Sequence, residues 1–365
     1  MEEFAEKAGF FRTRVTAWHA ANPRPLPWKD EPDPYFIWLS EVILQQTRVD
    51  QGWAYYERFR RDFPTVQDLA AAPEDQVLKA WQGLGYYTRA RNLHRAAGII
   101  AGQYGGRFPR SYPEILALPG IGPYSAAAIA SFAFGLPYAV LDGNVFRVLS
   151  RFLGLDTPID SSEGKKQFQE ISSYFLDKER PGAYNQAIMD FGATCCTPRR
   201  PACAICPLMT ECRALAEDKV DQYPVKSKKI ERRTRYFNYL VVRFGDQVLI
   251  RQRLEKDIWQ RLYEFPMVES ESLPETADVL FGWPWFEGRK PAPDAVSLPF
   301  SQALTHQTIV AVFWEWRLPG EPKGIIAPVQ AVNRKNLSNF AFPKIIDLFL
   351  ENKSLNLFSN HQNQD

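Results

Sequence analysis

An all-α domain followed by an α+β domain is the fold class that this 365-residue sequence predicts. Three observations carry that expectation. Up to about residue 213, apolar residues recur at spacings of three and four, broken by Phe63-Pro64, Ala72-Pro73 and Leu118-Pro119-Gly120, as in helices that bury one face. Beyond about residue 235 the runs become β-like. Between the halves, residues 219–235 hold seven basic residues against two acidic ones, include Pro224 and have no apolar period. The boundaries read as a helical domain over 1–213, a basic interdomain linker over 214–235, a second domain over 236–350 and a flexible tail over 351–365, rich in Asn, Gln and Ser. The linker reads equally as a solvated connector or as one that touches phosphate.

Bulk properties exclude little. Apolar and charged contents of 45% and 24% are those of an ordinary globular protein, and 44 basic against 42 acidic residues leave only +2. Any nucleic-acid surface must therefore come from local clustering. The first fifteen residues carry acids and no long apolar core, unlike a signal peptide, and no apolar run reaches membrane-spanning length. A cytoplasmic monomer is expected.

The first helix to carry chemistry is IWLSEVILQQT, residues 37–47, with Asp33-Pro34 upstream as cap and first-turn pair. Its apolar face includes Glu41, flanked by Ile37, Trp38, Leu44 and Gln45. A carboxyl on such a face has its pKa raised and can donate a proton near neutrality. The next turn is expected to carry Gln46 outward. Residues 118–130, LPGIGPYSAAAIA, place Gly120 and Gly122 in a tight turn that opens an Ala-rich helix. Backbone N–H groups there can approach an anion, the shape of a helix–hairpin–helix that grips a DNA phosphate without reading bases. Asp142, in LDGNV, reads either as a helix N-cap or as a functional carboxylate.

All five cysteines lie between 195 and 212. Cys196, Cys203, Cys206 and Cys212 follow a C-x6-C-x2-C-x5-C spacing, which suits a metal centre rather than disulfides; zinc and an iron–sulfur cluster both remain open on spacing alone. Cys195 falls outside the pattern and reads as a small buried hydrophobe. Arg199 and Arg200 project from the loop that the metal would close. In the second half, residues 236–244 and 248–252 flank Gly245-Asp246 as a hairpin, and residues 308–318, TIVAVFWEWRL, form a later strand. No internal repeat is present.

SEVILQQT, GLGYYTRARNL, LPGIGPYSAAAI, LDGNVFRVLSR and the four-cysteine loop together resemble the MutY-type adenine DNA glycosylases of the endonuclease III superfamily, in order from residue 26 to Cys212. The resemblance implies a helical fold with its active-site cleft between two subdomains, and a 4Fe–4S cluster on the four cysteines. It also implies removal of adenine opposite 8-oxoguanine or guanine in double-stranded DNA, in association with the bacterial nucleoid. Glu41 matches the catalytic acid, Asp142 the carboxylate that stabilises or attacks the oxocarbenium-like sugar, and Asn144 its hydrogen-bonding neighbour. Tyr124 stands where lyase members carry a lysine nucleophile, so no Schiff base is expected and the enzyme should be monofunctional. Gln46 and Tyr86 match the wedge residues, and Trp28, Leu44 and Gln186 the adenine pocket; plain core packing is the competing reading for Trp28 and Leu44.

The second half resembles the Nudix-like C-terminal domain of the same family. It lacks the glutamate-rich helix of a working Nudix hydrolase, so recognition of 8-oxoguanine is the expected task. Leu304-Thr305-His306 stands where many relatives have Phe-Ser-His, keeping a hydroxyl and losing the aromatic ring. The alternatives are a bifunctional pyrimidine glycosylase and lyase, a non-catalytic iron–sulfur DNA-binding protein and, last, a nucleotide pyrophosphatase.

Overall fold

A computed structural model describes residues 2–26, 28–29, 31–227, 232–286 and 290–359. The helices are α1 (Glu2–Ala21), α2 (Pro34–Leu44), α3 (Val49–Asp62), α4 (Val66–Ala71), α5 (Glu74–Trp81), α6 (Thr88–Gln103), α7 (Tyr112–Leu116), α8 (Pro123–Phe134), α9 (Gly143–Leu153), α10 (Ser162–Phe175), α11 (Pro181–Thr194), α12 (Arg213–Ala216) and, after the strands, α13 (Lys344–Ser359). Contacts divide the chain into two compact units. The first takes residues 1–71 and 92–228, the second residues 72–91 and 229–365.

Local signals start and stop the helices of the first unit. Asp33, in extended conformation, accepts a hydrogen bond from the Tyr35 N–H, and Pro34 opens α2. Ser111 and Glu114 form a capping box on α7. Gly135 and Gly154 end α8 and α9 in the left-handed conformation. Between α7 and α8, Gly120 has φ 78°, and a Cβ there would stand 2.7 Å from the Asn92 Cβ, so the hairpin requires glycine on both counts. One core gathers Phe11 and Val15 of α1, Ala128 of α8, Val148 and Phe152 of α9, Phe168 and Phe175 of α10 and Phe191 of α11.

The second unit is built on one sheet: β1 (Arg233–Phe244), β2 (Gln247–Gln252), β3 (Tyr263–Glu264), β4 (Met267–Ser270), β5 (Ala295–Val296), β6 (Phe300–Ala303), β7 (Gln307–Arg317) and β8 (Val329–Asn333). The expected hairpin joins β1 and β2 at Gly245-Asp246, with Phe244 opposite Gln247. β1 and β7 run parallel through eleven aligned positions, Arg233 opposite Gln307 to Arg243 opposite Arg317. Alternation sends Phe237, Tyr239, Val241, Ile309, Ala311 and Phe313 to a face covered by Ile345, Ile346 and Phe349 of α13. Leu240, Val242, Val312, Trp314 and Trp316 go to the other face, against Leu280, Trp285 and Phe286. Burial of both faces explains why β7 reads as a continuous apolar run.

Residues 72–91 join this unit through polar side chains. Asp75 accepts from the Tyr263 hydroxyl at 2.8 Å and from Gln252 Nε2 at 3.1 Å. Lys79 donates to the Phe340 carbonyl at 3.0 Å, Gln82 donates to both Asp347 oxygens at 2.8 Å, and Arg91 pairs with Gln260.

Two expectations change. The segment expected as a free linker from 214 packs on the first unit up to residue 227: Tyr223 is buried, Arg151 Nε donates to the Val220 carbonyl at 2.9 Å, and Ser227 N donates to Asp160 Oδ1 at 2.9 Å. Side chains of the first unit bonded to its main chain hold it together with buried Tyr223, and these leave no hydrophobic period to read. Residues 228–231 of that linker lie outside the described residues. The segment expected as a flexible tail from 351 continues α13 to Ser359, because Ile345, Ile346 and Phe349 anchor the helix and the following residues extend it. Residues 360–365 lie outside the described residues.

Candidate active site

Glu41 sits in the middle of α2, 8% exposed. It lines a cavity of about 480 Å3 in the first unit with Tyr124 of α8, Asp142 and Asn144 at the start of α9, Gln186 and Met189 of α11, Trp28 and Leu44. The volume lies within the usual range of ligand pockets. Trp28 meets the rings of Tyr56 and Trp53 edge-on, at 5.6 and 6.3 Å between centroids, so it both lines the cavity and packs.

Burial pushes the Glu41 carboxyl up to about 7; the Tyr124 hydroxyl, hydrogen-bonding to it, opposes the rise, and the nearby Asp142 charge adds to it. Tyr124 is itself buried, which raises its phenol well above the ordinary value, so the group stays an O–H donor. Its hydroxyl lies 3.5 Å from Met189 Sδ.

Asp142 combines two functions that the sequence reading held apart. It is the N-cap of α9, with Oδ1 accepting from the Val145 N–H at 2.7 Å, and it also lines the cavity. Oδ2 accepts from Asn144 Nδ2 at 2.8 Å. Burial raises its carboxyl, while the donors from Val145 and Asn144 and the Arg147 charge favour the anion. Environments that treat two carboxyls differently suit one as acid and the other as anion.

The support beneath Asn144 was not legible in the sequence. Arg147 is buried and donates to Asn144 Oδ1 at 2.8 Å, to the Gly192 carbonyl at 2.7 Å and to the Cys196 carbonyl at 2.8 Å. Gly192 lets α11 approach closely, since a Cβ there would stand 2.7 Å from the Asn144 Cβ. Also missed was a charged group lining the same cavity: Asp190, 1% exposed, with His19 Nε2 at 3.2 Å and Arg24 Nη1 at 3.3 Å, and Lys29 beside His19 at 3.3 Å. Nothing in its local sequence gathers residues so far apart.

The remaining residues singled out in the sequence lie elsewhere. α2 ends at Leu44, so Gln46 is not on a further helical turn; it is exposed in the following turn with φ 56°, because the chain leaves the helix at Gln45. Tyr86, in the second unit, is 47% exposed with φ 48°. Both are non-glycine residues in the left-handed region, where strain tends to accompany function. Leu304, Thr305 and His306 form the turn between β6 and β7, and the Tyr86 and Thr305 hydroxyls hydrogen-bond to each other. Gly120 and Gly122 form the α7–α8 hairpin, Gly122 being the N-cap of α8.

Cys196, Cys203, Cys206 and Cys212 line one small cavity in the first unit. Cys195 is buried in the core as expected, yet it lines that cavity too. Among the described residues no three cysteine, histidine or acidic side chains converge as a single ion would need. Thiols arrayed around one space, with Arg151 Nη1 3.5 Å from Cys196 Sγ, have the donor chemistry of a sulfur-ligated metal centre. Arg199 and Arg200 are exposed on this loop.

A helical unit with a hairpin between α7 and α8, a cavity holding two buried carboxyls and a cysteine loop is followed by a mixed sheet. Residues 39–173 match the family described as HhH-GPD superfamily base excision DNA repair protein, and residues 238–352 match the NUDIX domain. The adenine DNA glycosylase of Buchnera aphidicola subsp. Baizongia pistaciae (strain Bp) is 37% identical over 259 residues, 70% of this chain and 73% of that protein. The adenine DNA glycosylase of Homo sapiens is 42% identical over 213 residues, 56% of this chain and 39% of that protein. The chain belongs to the adenine DNA glycosylase family. Among solved structures, a thermostable thymine-DNA glycosylase is 29% identical with a TM-score of 0.55, covering 58% of this chain and 98% of that one. An endonuclease III in a non-covalent DNA complex shares the fold at 23% identity and a TM-score of 0.51, covering 58% and 97%. Among the described residues no helix is long and apolar enough to cross a membrane.

Proposed function

We propose that the protein excises adenine paired with 8-oxoguanine or guanine in duplex DNA and acts as a monofunctional glycosylase. What supports this reading is the convergence of Glu41, Tyr124 and Asp142 on one cavity, with the Glu41 carboxyl raised to about 7. Adenine is a poor leaving group; protonated Glu41 gives its proton to the base as the glycosidic bond breaks, and water then adds to the sugar carbon, its released proton restoring the acid. Asp142, anchored by Val145 and Asn144, holds the negative charge that stabilises the cationic sugar. Tyr124 donates its O–H to Glu41 and offers no amine, so no imine with the sugar forms. Trp28, Leu44 and Gln186 bound the space for the extruded base.

The rest of the reading follows the same family. Gln46 and Tyr86 fill the gap left in the duplex, and the hairpin at Gly120 and Gly122 holds a backbone phosphate. Leu304, Thr305 and His306, in a recognition domain over 236–350, meet the opposing oxidised base. Cys196, Cys203, Cys206 and Cys212 hold a 4Fe–4S cluster, which when bound supplies a covalent staple for the loop between them. Purified protein is expected to be brown and to contain iron and acid-labile sulfide in equal amounts; a colourless, zinc-bearing protein would overturn the cluster assignment.

The testing experiment is single-turnover cleavage of a duplex with adenine opposite 8-oxoguanine, analysed with and without alkali. Strand breaks are expected only after alkali. Breaks without alkali, or an adduct trapped by borohydride, would sink the monofunctional reading.

A further inference from the structure

A second cavity, of about 800 Å3, lies wholly within the Nudix-like unit, and the chemistry above does not use it. Half-buried Phe300 gives it an aromatic floor, backed by the buried rings of Phe265 and Phe349, which meet edge-on with centroids 6.1 Å apart for Phe265 with Phe349 and for Phe300 with Phe349. Arg243, Arg317 and Arg334 line it as well. Arg243 and Arg317 are direct partners in the β1–β7 register, an arrangement of like charges that destabilises a sheet unless something answers it. Glu315 answers in part: it binds Arg243 Nη2 at 2.9 Å, with both side chains largely buried. Arg317 and Arg334 are exposed, and among the described residues neither has an ion-pair partner.

We propose that this cavity binds a small aromatic anion, its ring on the phenylalanine floor and its acidic group paired with Arg317 and Arg334. Charge-assisted contacts to guanidinium are the strong kind, and a floor of aromatic edges and faces favours a flat apolar body. Binding rather than hydrolysis follows from the lining. Glu315 is its one acid among the described residues and is bonded to Arg243, so no cluster of carboxylates is present to hold a catalytic metal. The mouth also exposes Val296 at 47% and Leu298 at 85%, apolar surface that a bound ring would cover.

The probe is 8-anilinonaphthalene-1-sulfonate, titrated into the full chain and followed by fluorescence, beside its uncharged ring analogue N-phenyl-1-naphthylamine. Saturable one-to-one binding of the sulfonate is expected, at least about tenfold tighter than the neutral dye. Arg317→Ala/Arg334→Ala should weaken the sulfonate by about tenfold and leave the neutral dye unchanged. Val296→Glu, at an exposed position on the mouth, should weaken the sulfonate as well. Both variants alter exposed side chains and should keep the wild-type melting midpoint. No binding, equal affinity for the two dyes, or an Arg317→Ala/Arg334→Ala variant that binds the sulfonate like wild type would overturn the proposal.

Discussion

Glu41→Gln lowers the single-turnover rate of adenine release by about 10²–10⁴-fold, the usual range for losing a general acid, while duplex affinity stays close to wild type. The substitution keeps shape and removes the transferable proton. It also carries a signature in stability, set by the burial of the carboxyl. The folded-state pKa of about 7 lies above the ordinary 4.5, so the native chain binds this proton more tightly than the unfolded chain does. That stabilisation is fully present below 4.5 and is lost as pH rises through 7. Above pH 7 a charged Glu41 therefore costs about 3 kcal/mol relative to a neutral side chain. Thermal unfolding should find Glu41→Gln more stable than wild type at pH 8 by several degrees, with the gap closing towards pH 4.5. Rates in the wild type should fall as pH rises above 7. A fully active Glu41→Gln enzyme, or one less stable than wild type at pH 8, would remove Glu41 from the acid role.

Asp142→Asn separates the two functions of that residue. Asparagine caps helices about as well as aspartate, so the Val145 N–H keeps its acceptor and α9 keeps its start, while the amide nitrogen in place of Oδ2 no longer accepts from Asn144 Nδ2. The negative charge facing the sugar is lost. Base release should drop by about 10²–10³-fold, as when one electrostatic stabiliser of a transition state is removed, with a melting midpoint near that of wild type. Asp142→Ala would lose both, so comparing the two variants apportions cap from catalysis. Wild-type rates in Asp142→Asn would leave the cap as the whole of its role.

Much of this was legible because local rules and the fold agree. Asp33-Pro34 signals the start of α2, Gly245-Asp246 signals the β1–β2 hairpin, and the buried carboxyl in an apolar helix draws attention to Glu41. The parts that escaped depend on contacts between residues far apart in the chain. Arg147 reads as a surface charge on α9 until Gly192 and Cys196 are brought against it; Asp190 gains His19 and Arg24 only in the folded state. The turn at Gln46 escaped because the run of apolar and amide side chains continues past the point where the backbone leaves the helix. The linker up to 227 escaped because its main-chain groups are held by the distant side chains of Arg151 and Asp160, which leave no pattern within the segment itself.

The assignment of residues 72–91 to the sheet-bearing unit means that sequence order and structural membership disagree. Severing the chain near residue 228 would part residues 72–91 from the sheet with which they are grouped. The C-terminal fragment would carry every strand and yet leave Tyr263, Asp347 and the Phe340 carbonyl without Asp75, Gln82 and Lys79. The N-terminal fragment would keep a helix, α5, whose polar partners had gone. An insertion or deletion within 72–91 is thus felt by a sheet more than a hundred residues downstream, although two domain families are written along the chain in succession.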